Sequence, residues 1–122
     1  NDLRKKASEY YTSQLSNVKG IITPINSKNN ENSFHLYIIR ITKDFPISRD
    51  ILFKKLLNKG IRTSVHYKPL NQFSLFKKMA KSYDKLKISN MLYDEILSLP
   101  MYPTIRKSDQ KYVIKSIKNG II

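Results

Sequence analysis

The sequence predicts an α+β fold: a two-layer domain with a small, mainly antiparallel, three-stranded sheet covered by helices. Three observations lead there. Residues Phe34 to Thr42 form a nine-residue β-branched and aromatic run, the strongest strand signal in the chain. Apolar residues recur at helical spacing in four other stretches. Short loops join the strands, with helices interspersed, and no repeat or low-complexity tract interrupts the order.

Taken in order, Leu3, Ala7, Tyr10, Tyr11 and Leu15 fall on one helical face, with Arg4, Lys5, Lys6 and Glu9 largely on the other. An amphipathic helix is expected. Asn17 and Gly20 punctuate its exit, and Ile21, Ile22 and Ile25 around Pro24 predict a short edge strand, because proline cannot donate into a central ladder. Asn26 to Ser33 lack any apolar side chain and predict an exposed loop. The long strand Phe34–Thr42 is then expected at the centre of the sheet, with His35 an interior or supporting residue, not a catalytic one.

Ser48 is placed to cap a helix, and Asp50 in its first turn complements the helix dipole. Leu52, Phe53, Leu56 and Leu57 supply the buried stripe, and Gly60 offers the left-handed conformation a helix end requires. Ile61, Thr63 and Val65 alternate with Arg62 and Ser64, which predicts a half-buried strand. His66 and Tyr67 follow, ahead of Lys68 and the stiffening Pro69. A rigid platform carrying an exposed polar tip is one reading of that order; a strand end packed on the core is the other.

Leu70 to Phe76 carries two phenylalanines three residues apart, leading into a helical turn or two with Lys77, Lys78 and Met79. Ile88, Met91, Leu92 and Ile96 restore helical periodicity up to Leu97, and Ser98–Pro103, with two prolines three apart, reads as a stiff structural strap. Ser108 and Asp109 open a last helix that turns Val113, Ile114 and Ile117 inward and ends at Gly120.

A chain of 122 residues fits one domain, 1–122, and is long enough to bury a core without cross-links. Cysteine is absent and only two histidines occur, so neither a disulfide framework nor a Cys/His zinc site has enough candidates. No apolar run is long enough to cross a bilayer, and we expect a soluble, cytoplasmic protein without a membrane partner. Because it starts at Asn1 and opens directly into a helical pattern, we expect a piece of a longer protein.

The formal net charge of +14 points to polyanions or phosphorylated ligands. The lysines are spread singly or in doublets (Lys5-Lys6, Lys54-Lys55, Lys77-Lys78), as on a solvated surface. A basic module that binds single-stranded nucleic acid is the competing reading, with tyrosine and phenylalanine among lysines as a stacking platform. Against it, Tyr37 is flanked by Leu36 and Ile38, with Arg40 the nearest charge.

Catalytic constellations are thin. No glycine-rich phosphate loop, nucleophilic cysteine or Gly-x-Ser-x-Gly elbow is present, and adjacent Asp94 and Glu95 diverge on a helix. By its own chemistry the chain is not a complete enzyme, and no catalytic residue or metal ligand is assigned.

Five pieces nevertheless occur in a recognisable order: Arg4-Lys5-Lys6-Ala7 with Tyr10 or Tyr11, Phe34-His35-Leu36-Tyr37-Ile38-Ile39, Arg49-Asp50-Ile51-Leu52, Gly60 to Leu70, and Leu97 to Pro103. In that order and spacing the chain resembles the C-terminal part of the DegT/DnrJ/StrS-type family of pyridoxal-phosphate-dependent aminotransferases acting on nucleotide-linked sugars. The resemblance implies the small C-terminal domain of a fold-type I enzyme, with the large cofactor-binding domain, and its Schiff-base lysine, absent from these residues. It further implies that pyridoxal 5'-phosphate serves the parent enzyme, none being expected on this chain alone. By the same resemblance the parent is a homodimer that moves an amino group, usually from glutamate, to a keto group of a nucleotide-diphosphate sugar. His66 and Tyr67 become the candidate substrate-binding residues, and the isolated chain is expected to be inactive. Many relatives carry a second histidine where this chain has Asn71, which removes a cationic or proton-transferring group there.

Overall fold

The computed structural model describes residues 1–26, 32–77 and 86–121. Most of the polar loop predicted at 26–33, and Lys78 and Met79, lie outside the described residues. Among the described residues, five helices, α1 (Asp2–Leu15), α2 (Arg49–Asn58), α3 (Ser74–Lys77), α4 (Lys87–Glu95) and α5 (Lys107–Lys118), surround three strands, β1 (Ile21–Ile22), β2 (Tyr37–Ile41) and β3 (Ile96–Leu99).

The strands form one antiparallel sheet in the order β1-β2-β3, with Ile21 opposite Ile41 and Ile39 opposite Leu97. β2 is central and β1 lies at an edge, as the sequence predicts. Alternation along β2 sends Tyr37, Ile39 and Ile41 into the core, where they meet Tyr11 and Leu15 of α1, Leu52 and Leu56 of α2, and Val113, Ile114 and Ile117 of α5. Arg40 points to the opposite face and holds Glu95 of α4 with Nε and Nη2 at 2.9 and 2.7 Å. Tyr11 and Tyr37 stack with centroids 5.0 Å apart. Burial pushes both phenols up, Tyr37 to about 12 despite its hydrogen bond with Thr12, and Tyr11 further still, with Tyr102 and Tyr37 adding to the effect.

α2 follows its local signals closely. Ser48 Oγ accepts from Ile51 N, and the far end closes with Gly60 N to Leu57 O and Ile61 N to Leu56 O, both 2.9 Å, around Gly60 at φ +75°. Leu52 and Leu56 are buried while Leu57 is exposed.

Four expectations change. The third strand is Ile96–Leu99, not 61–65; from that stretch only Ser64 bonds the sheet, bridging Ser98. Correspondingly α4 stops at Glu95, and Ser98 and Leu99, expected to start a strap, are strand residues buried in the molecule. His35 is exposed, because Phe34 at φ +50° turns the chain before β2 begins. Ser108 does not cap α5: the helix starts one residue earlier behind Arg106, whose guanidinium instead pairs with Asp109 at 2.9 and 3.1 Å.

Candidate functional site

The site is built on the bridge between Ser64 and Ser98. Ser98 N donates to Ser64 O at 2.8 Å and Ser64 N to Ser98 O at 3.2 Å, which moors the segment after α2 alongside β3. Two residues later, His66 lies over the same serine, with Nδ1 2.8 Å from Ser98 Oγ. The His66–Tyr67 peptide bond is cis. The two rings meet edge to face, 4.8 Å between centroids at 66°.

Both predicted residues are therefore accessible, and neither is packed away as a strand end. His66 is half-buried and Tyr67 is 74% exposed. Together they line an open cavity of about 580 Å³, closed on its other sides by Asn71, Ser89, Tyr93 and Ile96 among others. Its wall is largely apolar, with imidazole, phenol, amide and hydroxyl groups set into it, a mixture suited to a polar ligand with a flat or apolar ring.

Pro69 leads into a single 3-10 turn, Leu70–Gln72, whose Gln72 N donates to Pro69 O at 2.9 Å. The turn buries Asn71 and brings its Nδ2 3.2 Å, and Gln72 Nε2 3.0 Å, from Asn90 Oδ1 on α4. One acceptor thus gathers two amides from an element 18 residues away. Asn71, the position flagged as a departure from relatives, is part of the cavity wall as a neutral amide.

Ser98, Asn90 and Tyr93 were absent from the candidates read in the sequence. Ser98 is 32 residues from His66 and Asn90 sits on a helix face whose neighbours only the fold defines. For nucleic acid, Tyr37, the aromatic at the centre of the sheet, is buried against Tyr11 and offers no ring for a base to stack on. Among the described residues no group of three His, Asp or Glu side chains could hold a metal ion, and no helix is long and apolar enough to cross a membrane.

A family model described as the DegT/DnrJ/EryC1/StrS aminotransferase family matches residues 1–118. The chain is 30% identical over 118 residues to an uncharacterized protein, MJ1066, of Methanocaldococcus jannaschii, covering 94% of this chain and 30% of that protein. It is 36% identical over 83 residues to a UDP-4-amino-4,6-dideoxy-N-acetyl-beta-L-altrosamine transaminase of Campylobacter jejuni, covering 68% of this chain and 22% of that one. Among solved structures, the PLP form of a putative sugar aminotransferase, Spr1654, from Streptococcus pneumoniae matches with a TM-score of 0.86 at 22% identity, covering 99% of this chain and 32% of that chain, a likeness of fold. The chain thus spans under a third of the length of these proteins.

Proposed function

The chain belongs to the DegT/DnrJ/EryC1/StrS aminotransferase family, and from that premise we propose that it is the C-terminal small domain of a larger, pyridoxal-phosphate-dependent aminotransferase. The parent transfers an amino group, from glutamate, to a keto group of a nucleotide-linked sugar. It works as a cytoplasmic homodimer. His66 and Tyr67 contact the sugar nucleotide. The observation that carries this reading is the open cavity in which these two rings stand side by side, in a chain that the family matches almost end to end.

Among the described residues, the cavity does not supply what the cofactor would need: its wall has no lysine amine to take the pyridoxal aldehyde and no glycine-lined turn to cradle a phosphate. The residues present do not fit the cofactor by themselves, so we place it in the part of the parent outside these 122 residues and derive no chemical step through it. The work left to this domain is recognition. Imidazole and phenol hydrogen-bond hydroxyl or phosphate oxygens, both rings pack on a sugar face, and the positive charge of the domain favours a diphosphate.

The test is made on the parent and on the chain. The full-length protein is expected to show pyridoxal absorbance and to form 2-oxoglutarate from glutamate when given a keto-sugar nucleotide; the 122-residue chain is expected to do neither. Absence of cofactor and turnover in the parent, or turnover by the chain with added cofactor, overturns the proposal.

A further inference from the structure

Ser98 is buried in β3, only 4% exposed, and both its main-chain groups are engaged by Ser64. That leaves the hydroxyl. It lies 2.8 Å from His66 Nδ1 and, among the described residues, has no second hydrogen-bond partner. A buried group with a proton to place is worse off unmet than one with a spare lone pair, since orphaned donors are the rarer case in folded proteins. That requirement is met when Ser98 Oγ donates and His66 Nδ1 accepts. A neutral imidazole whose Nδ1 accepts carries its proton on Nε2.

We infer that Ser98 is a positioning residue that fixes His66 as the Nε2–H tautomer, so that the ring offers the cavity an N–H donor and selects an acceptor oxygen on the ligand. On a nucleotide sugar the strongest such acceptor is the diphosphate, because charge-assisted bonds exceed neutral ones. This second step rests on the functional reading above; the tautomer itself rests on geometry alone. The mooring of residues 64 and 98 matters here, because it fixes ring and hydroxyl on one short piece of β-ladder.

The chain contains two histidines, and exposed His35 serves as the internal reference. In the 15N-histidine-labelled 122-residue chain, held above the imidazole titration range, long-range 1H–15N spectra are expected to show His66 with a protonated Nε2 and an unprotonated Nδ1. Ser98→Ala should give the mixed pattern of His35, and Ser98→Thr, which keeps the hydroxyl, should restore the wild-type one. A protonated Nδ1 in the wild type, or a pattern indifferent to Ser98→Ala, overturns the inference. In the parent protein, Ser98→Ala should raise the Kd for UDP, used as the diphosphate probe, roughly tenfold, with Ser98→Thr recovering it. The stated tautomer with an unmoved Kd would overturn the acceptor-oxygen half and count against the functional reading. A wrong tautomer with a raised Kd would overturn the inference alone.

Discussion

Gln110 of α5 donates its side-chain amide to the main-chain oxygen of Ala7 in α1, 2.9 Å away, with the bond sealed from water and 103 residues of chain between its ends. Helix packing by apolar side chains alone tolerates sliding; a directed bond to one carbonyl sets the register of α5 against α1. Gln110→Met keeps the volume and removes the donor. It should cost about 1–2 kcal/mol, read as a lower urea midpoint at unchanged slope. An unchanged midpoint would mean that apolar packing sets the register unaided.

Two glycines at positive φ should respond differently to the same change. At Gly20, φ +82°, an added Cβ would collide with the backbone of Phe45 and Asp44, where nothing flexible can give way. At Gly60, φ +75°, nothing lies within 4 Å. Gly60→Ala should cost about 1–2 kcal/mol of backbone strain, whereas Gly20→Ala should cost about 3 kcal/mol or more. Thermal denaturation of the two variants side by side decides it; equal losses would show that the close approach at Gly20 relaxes.

Alkaline pH should unfold the protein in part through Tyr37. Its folded-state value is raised to about 12 from 10.0, chiefly by burial, so the native state keeps a proton that the unfolded chain releases near pH 10. The stabilisation is complete below pH 10 and is lost as pH rises through 12. Tyr37→Phe has no such proton. Although it forfeits the 2.9 Å bond to Thr12, its stability should fall less steeply than the wild type's between pH 10 and 12. Parallel slopes would remove Tyr37 from the titration.

At the site, His66→Ala and Tyr67→Phe in the parent enzyme should each raise the KM for the sugar nucleotide about five- to tenfold, the worth of one or two hydrogen bonds. Tyr67 is 74% exposed and Tyr67→Phe leaves the core untouched, so an accompanying loss of thermal stability is not expected. A KM unmoved by both substitutions would take this cavity out of substrate binding.

What the sequence made legible follows from how local each signal is. α2 was readable from both ends because Ser48 and Gly60 act on their own neighbours, and β2 because its alternation and its β-branched content agree. β3 was hidden: Ile96 stands four residues after Leu92 and extends the helical spacing, and no glycine or proline marks the break. The chain leaves the helix there because Leu97 and Leu99 find the core only as strand residues beside β2, a pairing 58 residues distant for Ile39 and Leu97 in register. The reverse error befell 61–65, whose alternation is present but whose partner is confined to one residue.

The site divides the same way. His66 and Tyr67 stood out because Gly60 before and Pro69 after announce a loop held at both ends. Ser98 looked like the start of a structural strap; its contact with His66 exists only once β3 has formed. Asn71 was noticed for what it lacks, and its amide partners Gln72 and Asn90 only the fold supplies.

The apolar positions that give α4 its helical spacing are not buried in the fold. Ile88 is 71% exposed, and Leu70 and Leu75 nearby in sequence to the cavity are 65% and 67% exposed. Against this oily surface stands a formal charge of +14, which holds identical molecules apart over roughly 10 Å at 0.1 M salt. Added sulfate shortens that reach while strengthening apolar cohesion. Solutions of the free chain should therefore be clear when dilute in ions and cloud as sulfate is raised.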